Sequence, residues 1–254
     1  MTTTQLRPTA RSTRPLAFGR TFLTELRKLV DTRASLAVVI GAAAGVGVFA
    51  GGRAFFPTAG TDLGHLATMA LWPGGLGVMV LAVLLVAGEF STGSAAVTFT
   101  LEPRRGRVLA AKAAVVGVLV AAVGVLAVLA GSLMVVIAPA LTGQHLGWGF
   151  EATRFAAAVG STLVLGLAAL AWALLTRSIP APIVLLLVWP TLAMLVGSVS
   201  PVAATVLGYL SLEPMYALVE GDPAGLVKLA TSVLAWIVAP GVLGVRRLLR
   251  ADLS

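Results

Sequence analysis

The side chains able to do chemistry are few, and one polar stretch between apolar runs, Gly88–Lys112, gathers several of them. Glu89 opens it, and Ser91, Thr92, Ser94, Thr98 and Thr100 follow. Glu102, Arg104, Arg105, Arg107 and Lys112 close it. A carboxylate ahead of a capped helical turn is stabilised by that turn's amino end, and a cluster of arginines binds phosphate-bearing headgroups. This is the chemistry of docking, not of bond cleavage. The sequence has no cysteine, so thiolate nucleophiles, thiolate metal sites and disulfides are excluded. The lysines follow Arg27, Ala111 and Val227, and the phosphate-cradling Gly-x-x-x-x-Gly-Lys-Ser/Thr loop is therefore absent. His65 and His145 stand alone in segments between apolar runs and read as solvated side chains. No carboxylate pair or Ser–His arrangement falls within an apolar run.

The elements that must hold this stretch are set by composition. Of 254 residues 58% are hydrophobic and 11% charged, with a mean hydropathy of +1.00. Soluble domains carry about 25% charged residues, so lipid is the solvent for most of this chain. The net charge of +8 reads as flanks that fix topology, and a nucleic-acid partner is not expected. Six apolar runs are long enough to cross a bilayer: 34–51, 66–87, 113–138, 155–175, 183–199 and 226–245. Backbone groups in lipid must be satisfied internally, which makes these runs helices. With the amino terminus inside, all of the eighteen Lys and Arg except Arg53, Arg154 and Lys228 fall in inner segments. The expected protein is an all-α, multi-pass protein of the cell membrane with both termini cytoplasmic. Its parts are a disordered tail over 1–17 and a single transmembrane domain over 18–254.

Phe18, Phe22, Leu26, Leu29 and Val30 recur at helical spacing, with Arg20, Thr24, Arg27, Lys28 and Asp31 largely opposite. This predicts an amphipathic interfacial helix before the first span. Between spans five and six, Val202–Leu212 is apolar but too short to cross, and short re-entrant or interfacial outer helices are expected there. Pro73, Pro190 and Pro240 mark kinks, and Gly41 and Gly45 form a spacing that allows close helix approach. Within 88–112, Ser91 or Thr92 caps a short helix that Pro103 ends, with Val97, Phe99 and Leu101 as its apolar positions. Arg104, Arg105 and Arg107 then meet lipid headgroups and hold the third span in register. No ionisable residue falls in the middle of a span, which disfavours an ion-coupled carrier.

The pattern Gly88-Glu89-Phe90, Gly93-Ser94, then Pro103-Arg104-Arg105, Arg107-Val108-Leu109 and Lys112 resembles the loop between the second and third spans of ABC-2 type permeases. These are the membrane subunits of bacterial ATP-driven exporters. Ser94 stands where threonine is common in that family, and Ser91 where a basic residue often follows the aromatic. The resemblance implies that 88–112 carries a coupling helix docking on a soluble ATPase, with Glu89, Gly93, Ser94, Val97, Phe99 and Leu101 in that role. It implies that 18–31, with Arg27 and Lys28, is the elbow helix, and that re-entrant helices precede the last span. ATP and Mg would be bound by the partner ATPase, with no cofactor in this chain, and the permease would work as a homodimer. The expected function is export of an amphipathic, drug-like or lipid-like substrate. The alternatives are a non-transporting membrane anchor, sensor or immunity-type component and, less favoured by such bland spans, a passive channel.

Overall fold

A computed structural model describes residues 18–58, 60–91, 93 and 105–250. The sequence expectations for residues 1–17 lie outside them, as does most of the proposed coupling helix. Ten α-helices follow one another among the described residues. They are α1 (Phe18–Asp31), α2 (Arg33–Phe55), α3 (Leu63–Ser91), α4 (Arg105–Thr142) and α5 (Ala152–Thr176). Then come α6 (Pro180–Val199), α7 (Pro201–Gly208), α8 (Pro214–Val219), α9 (Gly225–Val233) and α10 (Ala239–Arg250). A π-helical turn, Leu234–Val238, joins α9 to α10 into one continuous rod. Among the described residues, six helices are long and apolar enough to cross a membrane: α2 to α6 and the Gly225–Leu248 rod. The protein is therefore a multi-pass membrane protein of helical class.

The termini of these helices follow local chemistry. Thr32 breaks α1 from α2 with extended backbone, and its hydroxyl accepts the Ser35 N–H at 3.2 Å. Asp62 does the same for α3, accepting from the His65 N–H at 2.9 Å. Gly93, two residues past α3, has φ +71°, a left-handed conformation glycine adopts without a Cβ clash. Arg177 closes α5 in the same region at φ 53°. Ser91 belongs to the last turn of α3. Its hydroxyl donates back to the Gly88 carbonyl at 2.9 Å.

α3 is the central post. Val78, Met79, Ala82, Val83 and Val86 pack with Val116 and Val120 of α4 and with Ala168, Ala169 and Ala173 of α5. Small residues set the spacing. A Cβ on Gly77 would stand 2.4 Å from the Ala42 Cβ, so α2 and α3 touch there backbone to backbone. Of the Gly41/Gly45 pair only Gly45 is at such a contact, 2.7 Å from the Pro73 Cβ of α3. Gly41 faces open space.

α6 stands apart. It packs on α5 and α7 and touches α3 little, with Val184, Leu187, Met194, Leu195 and Val199 exposed. The chain then reverses at Tyr209–Ser211 inside the protein. Trp189 and Trp236 both donate their indole N–H to the Leu210 carbonyl, at 3.0 and 2.9 Å. Thr231 donates to the Tyr209 carbonyl at 2.8 Å and Ser232 to that of Ser211 at 2.5 Å. Side chains thus replace the water that an irregular backbone otherwise requires. The π turn places Trp236 there, edge-on to Trp189 at 5.1 Å between centroids.

Candidate functional sites at the two ends of the bundle

α1 lies across one end of the bundle with Thr21, Glu25 and Leu29 inward. Leu29 packs with Leu81 and Leu85 of α3 and Val115 of α4. Glu25, on the same stripe, is carried into that apolar contact and is only 2% exposed, as is Lys112 of α4. The Lys112 ammonium donates to Glu25 Oε2 at 2.6 Å, to Glu89 Oε1 at 2.9 Å and to the Leu85 carbonyl at 2.6 Å. All three of its N–H bonds are used. Lys28 donates to Glu25 Oε1 at 2.7 Å and also to Glu89 Oε1. Among the described residues, two carboxylates meet two ammonium groups here. Burial pulls the Lys28 ammonium down, but the hydrogen bonds from Glu25 and Glu89 outweigh it and raise its pKa above the ordinary 10.5.

Desolvating four charges is costly, and the Coulombic gain offsets it only with full hydrogen bonding. The arrangement therefore specifies one docking of α1 against the facing ends of α3 and α4. Those two ends are also where the segment 92–104 begins and finishes. Arg177 reinforces this end by lying over the Phe90 ring at 5.2 Å.

Of the residues singled out from the sequence, Glu89 and Lys28 meet here. Arg27 is exposed on the other side of α1 and takes no part, because a rotation of about 100° per residue separates it from Lys28. Arg107 is half-buried in the first turn of α4, and Arg105 opens that helix. Ser94, Val97, Phe99, Leu101 and Arg104 lie outside the described residues. Glu25 and Lys112 were not singled out as a pair. The signal was present: Glu25 lies four residues from both Thr21 and Leu29, and Lys112 four from Val108. The third span was expected from 113, but α4 starts at Arg105, and the added turns take Lys112 into the packed helix.

At the opposite end, the gap between α6 and α3 is a cleft of about 830 Å³ lined by Leu71, Leu76, Met79, Leu165, Leu186 and Met194 among others. A second, polar cavity of about 850 Å³ lies next to it, with Asp62, His65, Glu151, Arg154, Glu220, Asp222 and Lys228 in its wall. The two share Thr68, Trp72, Ser211, Glu213 and Tyr216, so they form one path from polar vestibule to apolar cleft. Burial among neighbouring atoms pushes the Glu213 carboxyl up and is the first cause of the rise at Tyr216, with Glu213's charge next. Asp222 is held below its ordinary value by the Lys228 ammonium 2.5 Å away and by the Ala224 N–H.

Neither protein-family models, curated proteins nor solved structures give a match to this chain. One end is an ion-paired joint between α1 and the facing ends of α3 and α4. The other is a lipid-sized cleft with a polar mouth, within the usual 300–1,000 Å³ of ligand pockets.

Proposed function

We propose that the chain is the permease subunit of an ABC-type exporter that moves an amphipathic, drug-like or lipid-like substrate, driven by a separate soluble ATPase. The observation that carries this reading is the Glu25–Lys28–Glu89–Lys112 joint. It ties α1 to both helices from which the segment 92–104 is hung, so force applied to that segment reaches α2, α3 and α4 together. In this reading the joint faces the cytoplasm, α1 is the elbow helix, and 92–104 carries the coupling helix. ATP and Mg²⁺ bind the ATPase subunit, and two permease copies complete the pathway. The side-chain-satisfied reversal at Tyr209–Ser211 supports re-entrant helices on the outer side.

The test is co-purification with a soluble P-loop ATPase, then transport by the Glu89→Gln complex. Gln keeps the size of Glu89 and removes its charge. Expression and assembly should survive, transport should fall at least about tenfold, and basal ATP hydrolysis should persist. Normal transport by Glu89→Gln would sink the coupling role. Failure of any ATPase to bind would favour the second reading, a non-transporting membrane component that sequesters or senses a ligand, for which the cleft alone is sufficient.

A further inference from the structure

We propose that the cleft and its vestibule form one binding site for a cationic amphiphile: an ammonium head held among Glu213, Trp72 and Tyr216, with an apolar body lying between α3, α5 and α6. This deepens the exporter reading by naming the class of ligand.

The charge pattern points to the head. Asp62, Glu151, Glu213, Glu220 and Asp222 line the vestibule, half of the ten acidic residues in a chain of net charge +8. His65, Arg154 and Lys228 are the basic groups in that wall. Lys228 is already paired with Asp222, and the Asp62 carboxylate caps α3. Glu213 sits where the two cavities meet, and its carboxylate has no hydrogen-bond or ion-pair partner among the described residues. Trp72 and Tyr216 share that junction. A carboxylate and aromatic rings lining one junction make a surrounding that ammonium groups select, because ring quadrupole and anion attract the same charge. An anionic head would meet net repulsion, and a neutral one would gain no charge attraction from Glu213, an exposed residue.

The cleft points to the body. Its wall is mostly apolar, and Met79 and Met194 allow it to adapt in shape. Polar side chains interrupt it, among them Thr68, Ser161, Thr162 and Thr191. Ser161 of α5 lines the cleft, is 5% exposed, and its hydroxyl has no hydrogen-bond partner among the described residues. Buried hydroxyls are nearly always paired, and the neighbouring Thr162 is satisfied by the Ala158 carbonyl at 2.9 Å. Ser161 lies about nine residues, roughly 13 Å, along α5 from its start. It is placed to bond a polar atom part-way down the ligand body.

The test uses the purified full chain in neutral maltoside micelles, without any ATPase, and a dodecyltrimethylammonium brominated in its tail. Trp72 and Trp189 line the cleft, so binding is read as saturable quenching of tryptophan fluorescence. The expected result is saturation by the ammonium probe and none by the same tail bearing a carboxylate. Glu213→Gln should weaken binding about tenfold, as loss of one charge-assisted contact does, with an unchanged melting temperature. Glu220→Gln should change it less than twofold. Equal quenching by the carboxylate probe overturns the inference, as does unaltered binding in Glu213→Gln or an equal loss in Glu220→Gln. Competition by added phosphatidylethanolamine but not phosphatidylglycerol supports the site with a membrane lipid as occupant. Competition by neither supports a soluble amphiphile, and competition by phosphatidylglycerol alone overturns it. A negative result removes this ligand class and leaves ATPase coupling standing, whereas failure of an ATPase to co-purify leaves the site untouched.

Discussion

Lys112 is the buried link of the joint: its ammonium, like that of Lys28, bridges Glu25 and Glu89, and it also donates to the Leu85 carbonyl. Lys112→Met leaves the buried Glu25 and Glu89 carboxylates facing each other without the most buried of their ammonium partners. The expected cost is about 3–5 kcal/mol, read as a large drop in melting temperature in detergent. Glu89→Gln should cost less, about 1–2 kcal/mol, because Lys112 keeps Glu25 and the Leu85 carbonyl. A melting point as low for Glu89→Gln as for Lys112→Met would show that the carboxylate, not the ammonium, holds the joint.

Lys28 gives this joint a pH signature. Its folded pKa is raised above 10.5. The stabilisation is therefore fully present below that value and is lost as pH rises through the folded pKa. Labels on α1 and α4 should keep one separation from neutral pH to about 10 and move apart only above it. Separation beginning near pH 7 would contradict the hydrogen-bonded arrangement.

Among the elements, α3 depends on glycine for its neighbours. Gly77→Val should destabilise by about 1–3 kcal/mol, because the new side chain meets Ala42 of α2, including its Cα 3.6 Å from the first added carbon. Gly117→Val of α4 is the control. Nothing lies within 4 Å of its Cβ position, so the change should stay within about 0.5 kcal/mol. Similar losses for both would mean that helix propensity, not close approach, sets the cost. The Tyr209–Ser211 reversal depends in the same way on side chains from α6 and the last rod. Trp236→Phe should leave the Leu210 carbonyl with Trp189 alone, loosening α7 and α8 before the rest of the bundle. Hydrogen exchange confined to 200–225 would report it.

At the scale of the whole molecule, α1 and the 142–152 connection lie at opposite ends of the bundle. The sequence has no native cysteine, so Arg27→Cys and Gln144→Cys report sidedness without background. In intact cells an impermeant maleimide should label position 144 and not 27. The reverse pattern would invert the orientation drawn from the basic residues and, with it, the side on which the amphiphile site opens.

The number and helical nature of the spans were legible in the sequence because lipid leaves a backbone almost no other choice: runs of about 20 apolar residues must satisfy their own hydrogen bonds. The amphipathic stripe of 18–31 and the position of Glu89 at a span's end were legible for the same local reason, since both depend on spacing along one helix. What Glu25 and Lys112 do was not. Each is an ordinary charged residue near a polar segment until α1 folds across α3 and α4, and they stand 87 residues apart in sequence. The cleft was equally out of reach, because it exists only where α6 fails to pack on α3, and a gap leaves no periodic trace in the chain. The acidic mouth is assembled from residues between Asp62 and Asp222. No local pattern gathers them; the packing of the far-end connections does.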